Sequence, residues 1–215
     1  MLRYDRTIKL FGQNTFEKFQ NTKLILLGVG GVGSFALDAL YNTGITNITI
    51  VDFDSYEESN LNRQLGSAGN IGRIKVEALK EKYPEVEILH IKITPQWIDE
   101  HNFDQYDFIL DAIDDIKPKV HLIKKYYQKI ISTSGGAKRI DPSKIEYLSI
   151  WKTYNDPFIR KVRTELKQAG FKKPFKVIFS GENPLCIDKG TFEAVTGSFG
   201  LMMASVTVQK ILAKR

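Results

Sequence analysis

The chain has 215 residues, of which 42% are hydrophobic, 11% aromatic and 26% charged. That supplies one sizeable core and excludes a disordered, collagen-like or low-complexity polypeptide. Lys and Arg number 31 against 25 Asp and Glu, a formal charge of +6, which suits a polyanionic partner without naming one. A single cysteine, Cys186, excludes an internal disulfide and a multi-cysteine zinc site, and His90, His101 and His121 lack metal-ligand spacing. Met1 to Phe11 is charged throughout, without a signal-peptide apolar core, and no uninterrupted apolar run approaches a membrane span. A cytoplasmic protein with no membrane partner is expected.

After a polar lead-in, Lys23 to Leu27 reads as a strand that runs into Gly28-Val29-Gly30-Gly31-Val32-Gly33. Ser34 to Asn42 reads as a helix stopped by Gly44. Asn47 to Asp52 is a second, β-branched strand. The polar stretch Phe53 to Gly72 is too long for a routine connection, which marks it as functional or mobile. A helix over Ile74 to Tyr83 ends at Pro84. Strands recur at Glu87 to Ile91, Phe108 to Ala112 and Lys129 to Thr133, with helical patterns at Pro95 to His101 and Lys119 to Gln128. This alternation predicts an α/β fold with a doubly wound, Rossmann-like parallel sheet. Ile145 to Ile150 and Phe175 to Ser180 read as strands flanking one helix, and a last helix runs from about Ser198 to Ala213. The late strands are expected to extend the sheet antiparallel. No linker divides the chain, so one domain over 1–215 is expected, with 1–136 binding nucleotide and 137–215 forming a basic substrate-binding part.

Glycines at 28, 30, 31 and 33 let backbone amides and a helix N-terminus approach a phosphate. Asp52 ends the next strand, where an acidic side chain bonds ribose hydroxyls in such a motif. A dehydrogenase pattern would stop there. This chain continues with Asp54, Asn60-Leu61-Asn62-Arg63-Gln64, Lys75 and Asp111-Ala112-Ile113-Asp114. Amide and cationic side chains after the ribose-binding strand suit a triphosphate, and Asp114, beyond a strand's carboxyl end, is placed to hold Mg²⁺. Each residue alone also has an ordinary structural reading: a loop asparagine, a solvated arginine, an N-capping aspartate.

Together with Arg3-Tyr4-Asp5-Arg6 and Lys75-Val76-Glu77, these motifs resemble, in order and spacing, the ThiF and MoeB group of adenylating enzymes related to ubiquitin activators. The resemblance implies that Gly28, Gly30, Gly31, Gly33, Asp52, Asp54, Asn60, Asn62, Arg63 and Lys75 bind ATP, with Asp52 on the ribose and Asn60, Arg63 and Lys75 on the phosphates. It implies Mg²⁺ on Asp114 and catalytic roles for Arg63, Lys75, Asp114 and Arg6. Arg6 is expected to reach the triphosphate of a neighbouring subunit, hence a homodimer. The implied reaction is attack of a substrate carboxylate on the α-phosphate of ATP, giving an acyl adenylate. A carboxylate is already ionised at neutral pH, so no general base is required.

The zinc-binding Cys-x-x-Cys pairs usual in that branch are absent, and the second half is basic. From Lys152 to Lys176 there are eight basic residues against Asp156 and Glu165, a surplus of six that equals the charge of the whole chain. Within this run Asp156 can cap a helix with Pro157 in its first turn and Gly170 past its end. Phe158, Ile159, Val162, Leu166 and Ala169 form an apolar stripe, leaving Arg160, Lys161, Arg163 and Lys167 outward as candidate contacts for a phosphate backbone.

Ile113-Asp114-Asp115-Ile116-Lys117-Pro118-Lys119, Thr133-Ser134-Gly135-Gly136-Ala137, Ile140 to Ile145, Asp156-Pro157 and Thr196-Gly197-Ser198-Phe199-Gly200 narrow the likeness to one branch. The chain resembles the tRNA threonylcarbamoyladenosine dehydratase family along nearly its whole length. The resemblance implies adenylation of the threonine carboxylate of threonylcarbamoyladenosine in tRNA, then ring closure with release of AMP and net loss of water. It also raises a sulfur-transfer protein as a partner. The Ser180 to Thr196 segment departs from the family in being short, with Cys186 its one cysteine. A cyclising substrate supplies its own nucleophile, so Cys186 is read as a packed or incidental thiol. The competing readings are adenylation of the C-terminus of a small ubiquitin-like sulfur carrier, and a nucleotide-binding redox enzyme or inactive scaffold.

Overall fold

The computed structural model describes residues 3–214; Met1, Leu2 and Arg215, which belong to the expected 1–215 domain, lie outside the described residues. In chain order the elements are α1 (Asp5–Phe11), α2 (Gln13–Asn21), β1 (Leu24–Leu27), α3 (Gly33–Thr43), β2 (Ile48–Asp52), α4 (Lys75–Lys82), β3 (Glu87–His90) and α5 (Pro95–Glu100). They continue with β4 (Phe108–Asp111), α6 (Ile116–Tyr126), β5 (Ile130–Thr133), β6 (Ile145–Ser149), α7 (Pro157–Gln168), β7 (Lys176–Ser180) and α8 (Glu193–Ala213).

The strands form one sheet in the order β3-β2-β1-β4-β5-β7-β6. β1, β2, β4 and β5 are buried along their whole length, as their continuous apolar runs require of a parallel sheet covered on both faces. Alternation divides β1 between the two cores. Leu24 and Leu26 pack with α3 and α8, while Ile25 and Leu27 pack with α6 and α7. β1 to β5 and β7 all pair in parallel, and β6 pairs antiparallel with β7. The antiparallel extension is therefore the β6–β7 pair, whose strands are connected through α7 and which joins the parallel core through β7.

Gly44 ends α3 in the left-handed region at φ 102°, as its position after the apolar run predicts. The first and last helical regions differ from expectation. The polar lead-in folds into α1 and α2, held by Phe16 and Phe19, which are buried in the core under α3. The last helix starts about a turn earlier than its sequence pattern suggests, at Glu193. By length and composition α8 is apolar enough to cross a membrane, but its inner face packs against α3. At Gly200 a Cβ would lie 2.4 Å from the Val32 carbonyl oxygen, so the two helix backbones approach as only glycine permits.

Candidate active site

The parallel strands β1, β2 and β4 end side by side, which brings Gly28, Asp52 and Asp111 to one edge of the sheet. Gly28 has φ 88°, and a Cβ there would meet the Ala112 carbonyl oxygen at 3.0 Å. At Gly33 the same atom would overlap the Gly28 carbonyl oxygen at 1.9 Å. The N-terminus of α3 can sit against the strand end because both residues lack a side chain. The Asp52 carboxylate braces the turn from below: Oδ2 accepts from the Val29 amide at 2.8 Å and Oδ1 from the Asp54 amide at 2.9 Å. A carboxylate has about four acceptor positions, so these two bonds leave capacity for a ribose hydroxyl.

The stretch between β2 and α4 folds over the start of α3. The Leu65 amide donates to Ser34 Oγ at 3.2 Å, and the buried Tyr56 hydroxyl donates to the Leu65 carbonyl at 2.8 Å. Burial and the nearby Asp52 charge push the Tyr56 phenol well above its usual range. This fold lays the Arg63 side chain across the glycine turn, where a Cβ on Gly31 would meet Arg63 Cγ at 3.3 Å. Asn62 Oδ1 accepts from Arg63 Nη1 at 2.9 Å, while Asn62 Nδ2 reaches Thr191 Oγ1 at 3.2 Å. Asn60 is buried and caps a short 3₁₀ turn by accepting from the Glu57 amide. Lys75, also buried, holds Asp54 at 2.9 Å. Gln64, unassigned from sequence, lies near Gly30 with its Oε1 buried and unpartnered among the described residues.

Beyond β4, Asp114 is exposed on the loop that faces Gly28, and Asp115 caps α6 by accepting from the Lys117 amide at 3.1 Å. No cluster of three metal-ligating side chains occurs among the described residues. One free carboxylate nevertheless fits Mg²⁺, which is commonly held by one or two carboxylates together with substrate phosphates. Under this loop sits a group that sequence reasoning left without a role. Lys119 Nζ, fully buried, donates to Asp111 Oδ2 at 2.7 Å, Ser132 Oγ at 3.2 Å and the Thr133 carbonyl at 3.0 Å. Burial pushes its pKa down and the Asp111 charge opposes that.

The basic helix is as expected at its start: Asp156 Oδ1 accepts from the Ile159 amide at 3.0 Å, with Pro157 in the first turn. A buried ion pair of 3.2 Å joins Asp156 to Arg139, whose guanidinium also donates to the Ala137 carbonyl. The Glu182 carboxylate accepts from the Ile140 and Asp141 amides. The start of α7 is thereby tied to the loop after β5, at the same edge of the sheet as the glycine turn. Arg160, Lys161 and Lys167 are exposed. Arg163 is not: it is half-buried and spends its guanidinium on the Thr153 carbonyl at 2.7 Å and Thr153 Oγ1 at 2.8 Å, because the helical turn places it over the preceding loop. Ala169 is exposed at the helix end and does not continue the apolar stripe.

Arg6 does not join the cluster. It is exposed on α1, which packs on α2. Cys186 is exposed in the segment before α8 and donates to the Asp188 carbonyl.

The ThiF family model matches residues 4–215. The tRNA threonylcarbamoyladenosine dehydratase of Bacillus subtilis is 35% identical over 198 residues, covering 86% of this chain and 77% of that protein. The crystal structure of the E. coli tRNA N6-threonylcarbamoyladenosine dehydratase in complex with AMP superposes with a TM-score of 0.94 at 31% identity, covering 99% of this chain and 95% of that one. The same E. coli enzyme in complex with ATP gives 0.92 at 30% identity, covering 99% and 94%. The glycine turn braced by Asp52, the Arg63 wall and the full-length likeness lead to one assignment: the chain belongs to the ThiF family.

Proposed function

We propose that this protein is an ATP-dependent tRNA threonylcarbamoyladenosine dehydratase. The observation that carries the reading is the 0.94 superposition, along 99% of the chain, on a dehydratase in complex with AMP, with the phosphate-facing glycine turn intact. ATP lies with its phosphates at the N-terminus of α3, where backbone amides and the helix dipole favour anions. Arg63 and Lys75 neutralise charge on the transferring phosphate, Asn60 and Asn62 shape the loop that presents them, and Asp52 takes the ribose. Asp114 is the residue to hold Mg²⁺, which would supply charge neutralisation on the phosphates.

The threonine carboxylate attacks the α-phosphorus, pyrophosphate leaves, and an acyl adenylate forms. The nucleoside's own carbamoyl group then attacks the activated carbonyl, AMP departs, and the ring closes with net loss of one water. The protein's share is positioning and electrostatic stabilisation. Arg160, Lys161 and Lys167 on α7 contact tRNA phosphates. Residues 1–136 form the nucleotide part and 137–215 the substrate part of one domain. Arg6 completes a partner subunit's site in a homodimer, and a sulfur-transfer protein is a candidate partner.

Incubation with ATP, magnesium and tRNA bearing threonylcarbamoyladenosine should lower that nucleoside's mass by one water and release AMP and pyrophosphate. An unchanged nucleoside, with adenylation of a sulfur-carrier C-terminus instead, would replace this reading.

A further inference from the structure

Two open clefts lie away from the active site. One, of about 370 Å³, is lined by Glu17, Lys18, Asp107 and Lys214; its charges neutralise one another, with Lys214 on Asp107 at 3.1 Å. The other, of about 340 Å³, is lined by Tyr127, Gln128, Tyr147, Ser149, Lys176 and Lys210 and by no acidic residue. Lys176 opens β7 opposite Ser149 at the end of β6. Because β7 runs parallel to β5, this cleft lies at the edge of the sheet opposite the glycine turn. The Lys176 ammonium stands 5.3 Å from the Tyr147 ring centroid, and Lys210 projects from the last turn of α8. Neither lysine forms an ion pair among the described residues. Burial and the charge of Lys176 both depress the Lys210 pKa, as two close cations do when nothing anionic stands between them.

The path between the two edges is basic. α7 starts beside the active site through the Arg139–Asp156 pair, and its 12 residues carry the chain about 18 Å. Exposed Arg160, Lys161 and Lys167 lie along it, followed by exposed Lys172 and Lys173 and then Lys176. A free carboxylate metabolite would leave this track unexplained, whereas a polyphosphate backbone uses all of it.

We propose that Lys176 and Lys210 clamp a phosphate of the tRNA backbone, as the far anchor of a track that begins at α7. The proposal rests on tRNA being the substrate. The test is equilibrium binding of threonylcarbamoyladenosine-bearing tRNA by the full chain, wild type against the double variant Lys176→Gln/Lys210→Gln, across a salt series. Loss of this one phosphate contact should raise Kd several-fold near 0.1 M salt and lower the log–log salt slope by about 0.7 to 0.9. AMP affinity and melting temperature should stay at wild-type values, and Lys176→Arg/Lys210→Arg should restore binding. Wild-type affinity and slope in the Gln variant would overturn the clamp. So would binding of inorganic phosphate that depends on the two lysines while tRNA affinity does not, which would make this a site for a free anion. The dehydration assay on wild type is read separately: if tRNA binds through the pair but its nucleoside mass is unchanged, the clamp stands and the proposed reaction falls.

Discussion

Lys119 and Asp111 meet as an ion pair of 2.7 Å with neither side chain exposed, directly beneath the loop that carries Asp114. Removing one partner strands a buried charge, which costs about 3–5 kcal/mol. Lys119→Met and Asp111→Ala should each lower the urea midpoint accordingly, and Lys119→Met/Asp111→Leu should recover most of the loss. Wild-type stability in either single variant would show that the pair does not hold this loop.

Gly33→Ala tests the turn itself. Its Cβ would need to push the Gly28 carbonyl away from a 1.9 Å overlap, at a cost of about 1–3 kcal/mol. AMP affinity measured by calorimetry should fall at least ten-fold. Undiminished binding would mean that the turn does not cradle phosphate.

Arg163 and its neighbours on α7 should separate cleanly. Arg163→Ala strips bonds from the Thr153 carbonyl and hydroxyl and should cost about 1–3 kcal/mol of stability, leaving the salt slope of tRNA binding unchanged. Reversal of Arg160, Lys161 and Lys167 to Glu should weaken tRNA binding and flatten that slope while the melting temperature holds. A stability loss in the triple variant equal to that of Arg163→Ala would merge the two roles.

His101 makes acid stability testable. Its ring is stacked on Trp97 with centroids 4.6 Å apart, Phe103 and Tyr106 lie against it, and burial lowers its pKa from 6.5. The unfolded chain therefore binds the proton more readily than the folded one. The stability tied to this ring is full above about pH 6.5 and is lost as pH falls below it. His101→Phe should flatten the unfolding free energy between pH 7 and 5; an unaltered profile would assign acid sensitivity to other groups.

The strand segments and the glycine turn were legible because each is written in a short local run: Leu24 to Leu27, the glycines after it, and Gly44 at the end of α3. Asp52, Arg63 and Asp114 stand out as a candidate set because their order and spacing resemble a family. α1 and α2 were not, since most of their residues face solvent and their helicity depends on Phe16 and Phe19 reaching a core built by later elements. Lys119 reads as a surface lysine until Asp111, eight residues away on a strand, is placed beneath it. Arg163 looks outward in a helical projection, and only the preceding loop, with Thr153, shows why it turns in.

The close approach of Gly200 to Val32 means that the glycine turn is finished by a helix that follows every other described element. During synthesis β1, the glycine turn and α3 emerge from the ribosome early, yet one flank of α3 stays uncovered until α8 has been made. An apolar α8 that fails to dock would become a target for chaperones and proteases.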